Sequence, residues 1–377
     1  MHDFLLKEIN GNINSELELI GFDKTYINKA KDKFEYKNFK IYDLTPAQAN
    51  ILKQTALSVG ADCATHREVI TGKIELSNVI LGGSNAQLNK IAKKLEYQPF
   101  GLKTLGEKIL TKLQNSESKT KIVGILNITQ NSFSDGGEYY DFDNAVKHLH
   151  KLINDGADII DIGAESTKPY SQAVNAGEQL KHIIPVLDYI KENNIQIPIS
   201  IDTRSAEVAN ECIKYGIQII NDVSGLDYDI HMVEVLAQKS NVKVIIQHSN
   251  GTPENMQDNP QYKNLIDDIF FDLTKKVNFA ISGGIKKENI IIDPGIGFGK
   301  TREQNIEILK RWEEFETIGC PMLIGLSRKS LLGKPQANND EKDLYTLALN
   351  SILISQGIDY IRVHNVKIHK EFINIYS

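Results

Sequence analysis

The sequence predicts an α/β protein: a TIM-type (β/α)8 barrel over residues 118–377, behind a small α/β domain over residues 1–117. Three observations carry this. Short apolar, β-branched runs recur at Ile122–Leu126, Asp158–Ile162, Pro198–Ile201, Gln218–Ile220, Val242–Ile246, Ile290–Ile292, Met322–Ile324 and Tyr360–Val363. Amphipathic stretches of helical length lie between them, such as Asn144–Asn154, Glu178–Glu192, Ala206–Tyr215, Tyr262–Ser282, Arg302–Phe315 and Asp343–Gln356. Each run also releases polar or charged residues at its C-terminal end.

A continuous apolar run marks a strand buried on both faces, and a helix-length crossover forces parallel pairing. Eight such units make a barrel. The competing fold, an open doubly wound sheet, usually has fewer strands and opens on a glycine-rich turn, yet no GxGxxG follows the first run.

The polar segment Gln114–Thr120 lacks apolar periodicity and reads as a linker. Before it, Thr45-Pro46 is an N-cap followed by proline at the first helical position, opening a helix that ends near Gly60. A strand at Asn78–Leu81, a turn at Gly82-Gly83 and helices at Asn85–Leu95 and Leu102–Leu113 complete a small α/β unit. Gly82-Gly83-Ser84 before a helix also matches an anion-binding pattern, but a plain turn is the preferred reading. Nothing in this segment states a role.

Composition narrows the function. Hydrophobic residues make up 41% of the chain, enough for a buried core. A net charge of −6 argues against general nucleic-acid or anionic-membrane binding, both of which need a basic surface. Cys63, Cys212 and Cys320 are sparse and unpaired by motif, as expected of buried, reduced thiols in a cytoplasmic protein. The N-terminus has no signal-peptide pattern, and no apolar run approaches the roughly 18 residues of a spanning helix.

Taken singly, an Asp or Asn after a strand is most simply a cap or turn residue. Caps do not explain Lys329, Arg362 and His364 gathering on one rim, which in a barrel is the active face. The seventh and eighth loops are this fold's usual phosphate site, and they carry Ser327, Arg328, Lys329, Ser330, Arg362 and His364. Asp202, Asn221 and Asp293 end strands and face the mouth, where buried acceptors and an amide suit a flat amino-oxo pyrimidine. Phe133 and Phe298 are candidate walls of an aromatic pocket, with core packing as the alternative.

These segments resemble dihydropteroate synthases of folate biosynthesis: Asn127-Ile-Thr-Gln-Asn-Ser-Phe-Ser-Asp-Gly-Gly137, Glu165-Ser-Thr-Lys-Pro169, Ile201-Asp-Thr203, Ile220-Asn-Asp222, Asp293-Pro-Gly-Ile-Gly-Phe-Gly-Lys-Thr301, Gly325-Leu-Ser-Arg-Lys-Ser330 and Arg362-Val-His364. The resemblance covers Lys121 onward. It implies condensation of dihydropterin-methyl diphosphate with 4-aminobenzoate, and a sulfonamide-binding pocket. It places Asp202, Asn221, Asp293 and Lys329 around the pterin. Asn127, Arg362 and His364 match the diphosphate and Mg2+ end, with Asn127 near the metal. Thr167, Lys168, Pro169, Phe298 and Ser330 match the 4-aminobenzoate pocket, with Phe133 and Asp135 on a loop closing over it. By the same resemblance, diphosphate leaves first and the aniline nitrogen captures a pterin-methyl cation, and the protein is a homodimer through barrel helices near the C-terminus.

The chain departs from the family at Gln130-Asn131, where Pro-Asp is usual, and at Lys168, where arginine is usual. Tyr170-Ser171 replace a Gly-Ala pair, and Asn365 replaces an Asp. Lysine lacks arginine's planar fork, so retained activity with altered 4-aminobenzoate and sulfonamide binding is expected. Two alternatives stand beside the synthase. A pterin-binding methyltransferase barrel would not need the Arg–His end, and its frequent DxHxxG cobalamin motif is absent. A non-catalytic pterin-binding protein would fit the changes in the first loop.

Overall fold

The structure is a computed structural model that describes residues 9, 13–113, 119–128, 138–165, 174–251, 260–332 and 337–376. The chain divides into two compact units, Met1–Ser116 and Glu117–Ser377.

The first unit holds an antiparallel sheet in the order β1-β3-β2, formed by β1 (Tyr36–Leu44), β2 (Asp62–Ala64) and β3 (Ser77–Ser84). Helices Pro46–Leu57, Asn85–Leu95 and Leu102–Leu113 supply Leu52, Leu88, Ile91 and Ile109 to a core shared with Val79 and Leu81. Thr45 caps the first helix through a reciprocal bond with Gln48, as its sequence predicts. The expected turn at Gly82-Gly83 is instead strand, paired with Asn38 and Lys37. A Cβ at Gly82 would lie 2.6 Å from the Tyr36 hydroxyl and 2.7 Å from Asn38 Oδ1, exposed side-chain ends that would have to swing aside. The anion reading fails too. Asn85 N and Ala86 N donate to the carbonyls of Glu35 and Asp32, and Gln87 N donates to Ser84 Oγ.

The second unit is the barrel. Its strands are β4 (Lys121–Asn127), β5 (Ile159–Gly163), β6 (Ile199–Asp202), β7 (Ile219–Asp222), β8 (Lys243–Gln247), β9 (Ile290–Asp293), β10 (Leu323–Ile324) and β11 (Tyr360–Val363). Each pairs in parallel with the next from β4 to β9, β10 pairs with β11, and β11 pairs back onto β4. A parallel bridge between Ile292 and Met322 closes the ring between β9 and β10. The helices expected between strands are present. Two more, His231–Ala237 and Val366–Tyr376, follow β7 and β11, and the first is too short to show periodicity in sequence.

Side chains alternate along each strand, and that alternation builds the site. Val123, Ile159, Ile219, Ile245, Ile291, Leu323 and Tyr360 form one buried apolar cluster inside the barrel. Two residues further on, the inward positions become Asp161, Asn221, Gln247, Asp293 and Arg362. The interior is therefore an apolar plug beneath a polar ring.

Candidate active site

The upper edge of the barrel is set by register. Asn127 pairs with Gly163, Gly163 with Asp202, and Asp202 with Asn221, so these residues form one row at the C-terminal ends of β4 to β7. Gly163 has no side chain to spare: a Cβ there would stand 3.3 Å from Asp202 Cβ and 3.7 Å from Asn127 Oδ1. Gly163→Ala should therefore displace Asp202 by a few tenths of an ångström and lower kcat/KM about tenfold, in a site where small misplacements are costly. Steady-state kinetics beside a melting curve checks this, because overpacking severe enough to unfold the chain would show in both.

Arg362 links the row to the layer beneath. Its Nε donates to Asp161 Oδ2 and its Nη2 to Asp202 Oδ2, each at 2.6 Å. Asn221 Nδ2 donates to the same Asp161 oxygen at 3.1 Å. Arg362 is thereby tied to Asp202 directly and to Asn221 through Asp161. Its Nη1 makes no hydrogen bond to a described residue. Burial pushes the Asp202 carboxyl up to about 7, against the pull of Arg362.

Across the mouth, Lys329 donates to the Ile296 carbonyl, and its ammonium stands 4.5 Å above the Phe298 ring. Burial pulls Lys329 down to about 8, with Asp293 acting in the opposite direction. Asp293 is itself raised by burial, opposed by Lys329 and by the Gly295 amide that it accepts at 2.7 Å. Phe298 is buried against Val223 in a small cluster apart from the main core.

Burial, with Arg328 and Arg362 nearby, brings the His364 imidazole down to about 3. Ser327 Oγ accepts the His364 backbone amide at 3.2 Å and lies 3.0 Å from Nδ1. With the Ser327 hydroxyl assigned as the donor to Nδ1, the ring proton sits on Nε2, a neutral donor at the rim. The His364 ring signals should accordingly stay constant in an NMR titration from about pH 8 to pH 5, where an ordinary histidine titrates. The Arg328 fork binds both oxygens of Asp343 at 2.7 Å, which leaves its remaining N–H groups for any phosphate. Asn365 Nδ2 donates to Asp343 at 3.2 Å.

Thr167, Lys168, Pro169, Phe133 and Asp135 lie outside the described residues, as do Gln130-Asn131, Tyr170-Ser171 and the Ser330 side chain. Three features escaped the sequence reading. Asp161 interrupts a buried apolar strand, a signal that was there to be used. Glu165 and Arg204 form a buried ion pair at 2.8 Å. Lys300, fully enclosed, donates to the Gly295 and Phe298 carbonyls and reaches His248 Nδ1, each at 2.9 Å. Burial holds Lys300 down to about 7 and His248 well below its usual value.

Comparison with known proteins agrees with this geometry. The family described as "Pterin binding enzyme" matches residues 123–364. A dihydropteroate synthase of Clostridium beijerinckii is 43% identical over 263 residues, covering 69% of this chain and 94% of that protein. A probable bifunctional folylpolyglutamate synthase/dihydropteroate synthase of Haloferax volcanii is 34% identical over 353 residues. That alignment covers 87% of this chain, and so takes in part of the N-terminal unit, but only 41% of the longer protein. Among solved structures, the Anaplasma phagocytophilum dihydropteroate synthase with bound 6-hydroxymethylpterin-monophosphate superposes with a TM-score of 0.62 at 39% identity. It covers 68% of this chain and 98% of its own. Through its barrel, its polar ring and these relatives, the chain belongs to the dihydropteroate synthase family of pterin-binding enzymes.

Proposed function

We propose that the chain condenses (7,8-dihydropterin-6-yl)methyl diphosphate with 4-aminobenzoate, giving 7,8-dihydropteroate and diphosphate. The observation that carries this is the polar ring: Asp202, Asn221, Asp293, Lys329 and Arg362 converge on one mouth above an apolar plug. Acceptors and an amide of this kind meet the ring N–H and amino groups of a pterin. The methylene C–O bond breaks as diphosphate leaves, the aniline nitrogen forms the new C–N bond, and the nitrogen's proton goes to solvent or product. The nearby carboxylates stabilise positive charge at the methylene, while Arg362 Nη1 and the neutral His364 Nε2–H hold the departing diphosphate. Phe298, beneath Lys329, supplies one wall for the aminobenzoate ring. No protein nucleophile is needed; the protein contributes positioning and electrostatics.

Mg2+ suits this site. Among the described residues no group of three His, Cys, Asp or Glu is placed to hold a metal unaided. A hard cation that binds substrate phosphates needs only one or two protein oxygens, and the half-buried Asn127 amide offers one. When bound, the ion would neutralise diphosphate oxygens. We further assign a homodimer in the cytoplasm. Leu344 and Ile352, on helix Asn339–Ser355, are 62% and 53% exposed, as an apolar face for a second copy would be. No helix among the described residues is long and apolar enough to cross a membrane.

The test is diphosphate release by the full-length protein with Mg2+ present. Release that requires both the pterin diphosphate and 4-aminobenzoate is the expected result. No release, or release indifferent to 4-aminobenzoate, overturns the reading. Mass in solution by light scattering tests the dimer separately.

A further inference from the structure

Asp161 stands in the middle of β5, one layer below the mouth, and its side chain is wholly buried. A single oxygen, Oδ2, accepts from Arg362 on β11 and from Asn221 on β7, strands that lie on opposite sides of β5. The other oxygen, Oδ1, is buried with no hydrogen-bonding partner among the described residues. The Oγ of Ser200, the cross-strand neighbour of Asp161, is in the same condition.

Such a residue is costly to fold. A buried carboxylate with one oxygen unsatisfied loses hydration that nothing restores, and the inward positions of the layer beneath are apolar. Neutralising Arg362 does not require it either, since Asp202 already accepts from Nη2 at 2.6 Å. What Asp161 adds is geometry. With Asp202 alone the guanidinium would be held at one nitrogen and free to swing. With both carboxylates it is held at two nitrogens, and the Asn221 amide is referenced to the same point.

We propose that Asp161 is a positioning residue, its Oδ2 fixing Arg362 and Asn221 relative to each other and so aligning the diphosphate end of the substrate with its ring end. The proposal rests on the synthase reading above. It places the pivot between the two halves of the pterin substrate on a side chain that need not touch either half. Asp161→Asn preserves the size and can still accept from Arg362, but the amide is a weaker anchor than a carboxylate for a guanidinium.

The decisive experiment is a double-mutant cycle on kcat and KM in the full chain, with Asp161→Asn, Arg362→Lys and the two combined. Asp161→Asn is expected to melt at or above the wild-type temperature while kcat falls at least about tenfold and KM for 4-aminobenzoate changes less than about threefold. In the Arg362→Lys background the same change should cost less than about threefold, because the geometry it protects is already lost. Costs that multiply, or an Asp161→Asn variant with full kcat, would overturn the proposal. Should that variant not fold, Asp161→Glu serves in its place, keeping the charge but moving it by one methylene. A positioning role then predicts a loss absorbed by Arg362→Lys, whereas wild-type kcat would reduce Asp161 to a counter-charge. A wild-type protein without diphosphate release would fail the synthase reading itself, an outcome distinct from costs that multiply in an active enzyme.

Discussion

Arg362→Met is expected to lose about 3–5 kcal/mol of stability, because it strands the buried carboxylates Asp161 and Asp202 that the guanidinium now pairs. Activity should fall further, about a hundred- to a thousandfold in kcat, as for removal of a preorganised donor to developing negative charge. The stability loss has a predictable pH dependence. Arg362 holds the Asp202 carboxyl down against burial, and even so it sits at about 7, above the roughly 3.9 of an unfolded chain. A carboxyl raised in the folded state contributes stability that is fully present below the unfolded value and is lost as pH rises through the folded value. Without Arg362 the folded value climbs higher still. The gap between variant and wild type should therefore widen as pH rises through 7 and narrow towards pH 5. Urea unfolding at about pH 5.5 and pH 8.5 measures both gaps, and a constant gap would mean that the pair is not coupled as its geometry states.

Lys300→Met should be nearly as damaging, for a different reason. The ammonium satisfies two loop carbonyls and an imidazole nitrogen that are buried with it, and a thioether satisfies none. Leaving such acceptors unpaired costs on the order of 3 kcal/mol or more in total. Lys300 is held at about 7 by burial, against roughly 10.4 when unfolded. A group depressed in the folded state adds stability as pH rises from its folded to its unfolded value. Wild type should thus gain on the variant between about pH 7 and pH 10. Functionally, the Gly295–Phe298 turn loses its clamp, so KM for 4-aminobenzoate should rise more than kcat falls. Thermal melts across that pH range, with kinetics at one pH, check both parts.

How far the site is legible depends on what each residue answers to. Asp202, Asn221, Asp293 and Arg362 are readable because a polar residue ending a buried apolar strand is a local pattern with few competing causes. Asp161 carries the same signal one layer lower, but inside a run rather than at its end, where a single polar residue leaves the strand pattern intact. Lys300 sits within a motif that gives it no role: nothing local shows that a lysine after a glycine-rich turn folds inward onto that turn's own carbonyls. Arg328 shows a partner the sequence does not: its place on the rim suggests a phosphate, and Asp343, on the following helix, also takes two of its nitrogens. In the N-terminal unit, β1 and β2 carry no pattern clear enough to predict them. Gly82-Gly83 reads as a turn there, since a glycine pair signals a turn locally and only the pairing with Asn38 and Lys37 on another strand makes it strand.

By itself the sequence determined the barrel, its eight strands and the end at which chemistry occurs, because burial on both faces and helix-length crossovers are written in local periodicity. The tertiary structure decided the partners. Arg362 meets Asp161 and Asp202 across 201 and 160 residues of chain, contacts that exist only because β11 closes onto β4 and so brings Arg362 within reach of β5 and β6. The neutrality of His364 and the lowered values of Lys300 and Lys329 follow from the same closure. Desolvation and charge proximity depend on what surrounds a group in space, and local sequence does not contain that information.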